Sequence, residues 1–368
     1  MDDRTRSFTA VAGTIGLFLC IQLGALALLD PYVATGAQPV DDPSNAGNVA
    51  YFFGVILVAT AGMLAAIKFG LERLIRGFVL LSCGWICWIV LDTILTSLEP
   101  GDLASGTTAT ALENLAIVIP FAVAGGLVIA LFVYPEWYVI DAAGVLLGAG
   151  AAGLFGLAFT PELTVLFLLI LAAYDAISVY GTEHMLALAE GVTDLNVPVL
   201  LVVPTTTSFS LLSDDGPATL DEGETSDEQG DSTLESGQEK GHEQEEMVGN
   251  SENEDDEQEA EQTEAAGDRD AIYIGLGDAV MPTILVVSAA YFLRDSAPLF
   301  DVPLLAINLP ALTALVGTLI GLCFLLRMVL KGRAHAGLPM LNGGAIGGYL
   351  IGAVASGIGL VEALGLPL

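Results

Sequence analysis

The chain has 368 residues, of which 54% are hydrophobic and 15% charged, and a formal net charge of −33. That hydrophobicity excludes an ordinary soluble domain, and the negative balance excludes a nucleic-acid partner. The charge is uneven: between Asp214 and Asp270 there are 23 Asp and Glu against Lys240 and Arg269, a net of −21, while the remainder holds 21 acids and 9 bases. An apolar body is interrupted by one acidic insert. Lysine is confined to Lys68, Lys240 and Lys331, and an acidic, lysine-poor chain suggests a high-salt host in which screening relieves self-repulsion.

Nine apolar runs of about bilayer-spanning length are read in order: 8–29, 49–69, 77–95, 112–134, 138–159, 163–180, 271–293, 306–329 and 337–360. The first follows Arg4 and Arg6 but is too long for a signal-peptide core, so it is kept as a span. Cys20, Cys83, Cys87 and Cys323 all lie in apolar runs; with no His or acid at zinc spacing, they read as buried thiols and not as a metal site. Asp92, Glu113 and Asp141 fall near span ends, where an interfacial position explains them. In span 5, Gly144 and Gly148 form a small-xxx-small step. Span 9 carries three more: Gly343 with Gly347, Gly344 with Gly348, and Gly348 with Gly352. All are read as helix-packing positions.

After span 6 comes "NVPVLLVVPTTTSFSLL", residues 196–212. It is β-branched and broken by Pro198 and Pro204, which suggests a short strand or an interfacial element. The organisation is therefore three-part: 1–212 with spans 1–6 and this β-prone segment, 213–270, and 271–368 with spans 7–9. The middle part is rich in Glu, Asp, Ser, Gln and Gly and is expected to be a disordered loop. Arg4, Arg6, Lys68, Arg73, Arg76, Arg327, Lys331 and Arg333 all fall on one side, against Arg294 alone on the other. The N-terminus and the acidic loop are therefore cytoplasmic, and nine crossings leave the C-terminus outside.

Two acids lie deeper than the rest. At 1.5 Å per helical residue, Asp175 sits about 8 Å inside the inner end of span 6, and Asp278 about 10 Å inside the start of span 7. These spans are consecutive and antiparallel, so the two carboxylates share a level. An ionisable group at such depth faces protein or a water cavity. Two carboxylates brought together cannot both ionise easily, so one proton is held between them. One carboxylate can then activate water while the other protonates a carbonyl oxygen, with no metal or cofactor. Gly275 and Gly277 remove side chains beside Asp278 and give clearance to an extended backbone. A proton- or cation-conducting channel or transporter using the same two acids is the alternative; it calls for a pseudo-symmetric second set of acids or broken helices, which the sequence does not show.

Three motifs resemble, in order, those of the presenilin and signal peptide peptidase family of intramembrane aspartyl proteases. They are Tyr174–Asp175 within "AAYDAISVYGTEHM", Gly275–Leu276–Gly277–Asp278, and Pro339–Met340–Leu341 at the start of the last span, where methionine replaces the family's alanine. The resemblance extends over nearly the whole chain apart from the acidic insert and is closest to an archaeal presenilin homologue. It implies an all-α, nine-helix membrane protein of the cell membrane, with Asp175 and Asp278 as catalytic dyad. It also implies that Tyr174, Gly275, Leu276, Gly277, Pro339, Met340 and Leu341 shape the substrate site. Expected substrates are single-span membrane proteins within the lipid bilayer. Such a substrate must unwind before water can attack, and strand addition to 196–212 or to "AIYI", 271–274, would satisfy its freed backbone groups.

Overall fold

The computed structural model describes residues 3–97, 107–181, 200–205, 209–211, 271–302, 305–329 and 337–365. The expected loop 213–270, Pro198, Lys331, Arg333 and all three histidines (His184, His242, His335) lie outside the described residues, as does the side chain of Glu113. The apolar runs fold as helices α1 (Asp3–Ala27), α2 (Leu29–Thr35), α3 (Gly47–Lys68), α4 (Glu72–Ser97), α5 (Thr107–Val133), α6 (Trp137–Gly156) and α7 (Pro161–Gly181). Strands β1 (Leu200–Pro204) and β2 (Ala271–Gly275) follow, then α8 (Leu276–Phe292), the pair β3 (Leu299–Val302) and β4 (Leu305–Asn308), α9 (Leu309–Val329), α10 (Gly337–Ala355) and the short α11 (Leu360–Ala363). Among the described residues, eight helical segments are long and apolar enough to cross a membrane, α1 and α2 together forming the first; α8 is a shorter apolar helix. The nine-helix expectation is met, with two small antiparallel sheets added to it.

Span 7 differs at its start. Ala271–Gly275 is a strand paired with β1 in the register Leu200↔Gly275 to Pro204↔Ala271. Ile272, Tyr273 and Ile274 favour extended backbone, and Gly275 (φ −59°, ψ 130°) ends the strand and opens α8. At the far end of α8, β3 and β4 form a hairpin. Asn308 then caps α9: its Oδ1 accepts the Ala311 N–H at 3.0 Å, and its Nδ2 donates to the Ala289 carbonyl at 2.7 Å, one of the orphan helix-end donors thus satisfied.

The protein interior gathers on α6 and α8. All residues from Ala279 to Ala290 of α8 are buried except Met281. Large apolar side chains point outward elsewhere, such as Val58 (74% exposed), Phe78 and Phe121. That is the pattern of a surface solvated by lipid. The thiols divide the same way: Cys83 and Cys87 are buried, but Cys20 and Cys323 are exposed. Apolar sequence alone does not separate a protein-facing from a lipid-facing position, which is why the expected burial fails at those two.

α9 and α10 form the closest helix contact. A Cβ at Gly317 would strike the Gly344 backbone, one at Gly344 the Gly317 backbone, and one at Gly348 the Thr313 backbone. Gly344, Gly348 and Gly352 therefore form the packed row, whereas Gly343 and Gly347 have open space beside them. On α6 the glycines do something else. Side chains enter there: Leu201 of β1 against Gly144, and Leu276 and Ile21 against Gly148.

Candidate active site

Asp175 projects from α7, six residues before its end, and is buried. Asp278 is the third residue of α8 and is half-buried. The N-terminus of α10 lies against both. The Leu338 N–H donates to Asp175 Oδ2 at 3.2 Å. A Cβ on the preceding residue, Gly337, would sit 3.2 Å from Asp278 Oδ2. Adjacent residues of one chain thus touch the two carboxylates. The side chain of Asp278 also folds back over Gly275, where a Cβ would come within 3.3 Å of the same oxygen. Its carboxylate sits between two glycines from different segments. Two helix N-termini, of α8 and α10, bring partial positive charge to this acid pair.

Several contacts fix the parts. Asn342 of α10 donates Nδ2 to the Leu168 carbonyl of α7 at 3.1 Å, tying the two helices that carry Leu338 and Asp175. Leu276 anchors the start of α8 on α6 at Gly148. Pro282 has no N–H, so the carbonyl of Asp278 loses its usual helical donor. The Thr283 hydroxyl donates to the Ala279 carbonyl at 2.6 Å in that same turn.

The remaining sequence-derived positions are distributed around the acids. Tyr174 turns toward α3, its ring edge-on to Phe53 at 6.1 Å. Gly277 is exposed, and a Cβ added there would meet nothing within 4 Å. Leu341 is fully buried, Pro339 is half-buried, and Met340 is 38% exposed. It is the Met340 carbonyl that packs, against Gly321 of α9. A groove of about 770 Å³ lies elsewhere, between α1 and α9, lined by residues such as Val11, Ile15, Leu319 and Phe324; none of the residues above belongs to it.

Three contributors are not apparent from sequence. Gly337 and Leu338 immediately precede Pro339, and a glycine opening a helix beside a motif is the available signal. Asp141 is the third. It is buried, and its Oδ1 accepts the Val202 N–H of β1 at 2.8 Å, so near the end of its helix it is paired with protein and not simply exposed at an interface. A buried acid in an apolar helix requires a donor, and the β-prone segment supplies one. Glu136, just before α6, also holds this segment: it accepts from the Ser210 hydroxyl at 2.5 Å and from the Leu211 N–H at 3.4 Å.

The family model for signal-peptide peptidase and presenilin aspartyl protease matches residues 15–234 and 240–358. Two solved structures are similar, each described as a presenilin family intramembrane aspartate protease. The crystal form in space group C222 is 28% identical with a TM-score of 0.58, over 94% of this chain and 99% of that one. The P2 form is 29% identical with a TM-score of 0.54, over 93% and 97%. No curated relative matches significantly. With a family match over most of its length, a shared fold and a bundle of membrane-crossing helices around two aspartates, the chain belongs to the signal-peptide peptidase and presenilin family of intramembrane aspartyl proteases and is a multi-pass integral membrane protein.

Proposed function

We propose that Asp175 and Asp278 are the catalytic pair, hydrolysing a peptide bond within the transmembrane segment of a single-span membrane protein. The observation that carries this is the convergence at α10: Leu338 is hydrogen-bonded to one carboxylate and Gly337 is packed on the other. One aspartate, ionised, takes a proton from water as it attacks the scissile carbonyl. The other, protonated, donates to the carbonyl oxygen, and the roles reverse as the amine leaves. Tyr174 acts through the α3–α7 packing. Gly275, Leu276 and Gly277 shape the substrate approach along α8, and Pro339, Met340 and Leu341 shape it along α10. On the charge distribution, this end of the bundle faces the cytoplasm.

The sheet beside the dyad suits an unwound substrate. Strand pairing gives partners to backbone groups that a bilayer leaves unsatisfied. The side of β1 facing α6 is already engaged through Asp141, so pairing is directed to the β2 side, three residues before Asp278. Proline at Leu201 or Val203, whose N–H groups belong to the β1–β2 ladder, should abolish cleavage while the helical bundle survives; unimpaired cleavage would count against the sheet.

The decisive test incubates purified protein with a single-span model substrate and compares wild type, Asp175→Asn and Asp278→Asn. Cleavage should disappear in both variants, and persistence in both removes the dyad assignment.

A further inference from the structure

We propose that Asp141 is a positioning residue of this protease: its carboxylate latches β1 onto α6, fixing the register of the sheet that leads into Asp278. The inference rests on the catalytic pairing of Asp175 and Asp278 proposed above.

Asp141 is buried (7% exposed), and its Oδ1 accepts the N–H of Val202, 61 residues further along the chain. β1 also has a shaped berth. A Cβ at Gly13 of α1 would meet Val203, and one at Gly144 of α6 would meet Leu201, each at 2.9 Å. The side chains of β1 locate it between two helices, but apolar contacts tolerate sliding. The hydrogen bond to Asp141 does not, because only one amide can occupy it.

The direction of that amide defines the ladder. In an antiparallel pair, opposed residues alternate between exchanging both backbone bonds and exchanging none. Val202 directs its N–H to α6, so Val202↔Tyr273 is a non-bonded pair, and Leu201↔Ile274 and Val203↔Ile272 are the bonded ones. Pro204, two residues on, faces the same way as Val202, and at that position the missing N–H costs the ladder nothing. Every part of β1 agrees with one register. A slip of one residue would send its side chains to the wrong faces and would move Gly275, the hinge between β2 and α8, against its partner Leu200. Asp278 lies one helical turn beyond that hinge.

Asp141→Asn keeps an acceptor oxygen for Val202; Asp141→Ala does not. In the full-length protein, the alanine variant should lower kcat/KM about tenfold or more, spread cleavage over neighbouring peptide bonds and accelerate hydrogen exchange at the Val202 amide. The asparagine variant should stay close to wild type in all three readouts. Val202→Pro deletes the same bond from the strand side while sparing the ladder and should reproduce the rate loss and the spread of cleavage sites, which covers the case in which Asp141→Ala does not fold. Wild-type cleavage sites and rate in Asp141→Ala, unchanged Val202 exchange, or equal damage from Asn and Ala would overturn the latch. Exchange is also measured on an Asp278→Asn background, which needs no turnover. Cleavage surviving in both dyad variants therefore defeats the dyad assignment, while the exchange data still decide the latch.

Discussion

Gly337 shows how little space surrounds the acid pair. A methyl group there would come within 3.2 Å of Asp278 Oδ2 and 3.5 Å of Leu325 Cδ2, tight enough to push the carboxylate by a few tenths of an ångström. Alanine also favours the helix over glycine by up to about 1 kcal/mol. Gly337→Ala should therefore separate two quantities that usually fall together: activity drops about tenfold, while thermal stability holds or rises. Equal kcat in variant and wild type would remove the steric argument. Asp175 and Asp278 are legible in the sequence because a carboxylate in an apolar run is conspicuous, and Tyr174 and the glycines before Asp278 mark the motifs. Gly337, the Leu338 N–H and the role of Asp141 are not legible. Each depends on which segment of a folded bundle arrives opposite, and Asp141 meets its donor across 61 residues. By sequence, Met340 is a larger side chain beside the site; in the fold its side chain is partly exposed, and its backbone makes the tight contact.

Among elements, the α9–α10 seam gives the sharpest contrast. Gly317→Ala places a Cβ onto the Gly344 backbone, and with no flexible side chain to yield, the helices must separate. We expect a loss of about 1–3 kcal/mol, read as an earlier unfolding transition in detergent. Gly347→Ala, on the same helix as Gly344, meets nothing within 4 Å and should be neutral or stabilising by about 0.5–1 kcal/mol. Indistinguishable behaviour of the two would refute the seam. Sequence spacing identifies both interleaved glycine rows of α10 equally well; only the partner helix selects one. Sequence also presents Ala271–Gly275 as the start of a span and, separately, as a segment able to pair. Those readings exclude one another over five residues, and the presence of β1 as a partner decides for the strand.

At the scale of the molecule, hydropathy locates the spans well because lipid and protein interior both demand apolar residues. For the same reason it cannot orient them. Cys83 and Cys323 are alike in sequence context, yet one is buried and the other faces outward. Labelling with a bilayer-permeant maleimide in detergent should modify Cys20 and Cys323 well before Cys83 and Cys87; simultaneous modification of all four would contradict the packing. The acids on α6 and α7 follow the opposite rule, Asp141 and Asp175 each being held where a backbone N–H waits and not where hydropathy is lowest.

The brevity of α8 has a consequence for the surrounding membrane. Its 17 residues rise about 25 Å, some 5 Å less than a typical hydrocarbon core. The missing turn is supplied by β2, paired with β1, so the span is completed by a sheet whose backbone is held by protein and not by a further helical turn. A bilayer thinned locally at this short span would bring the sheet and Asp278 nearer to water. Bilayer thickness then becomes a reactant in all but name: vesicles of shorter acyl chains should support faster cleavage than long-chain ones at equal enzyme and substrate density, and a rate indifferent to chain length would show that the protein alone hydrates its catalytic end.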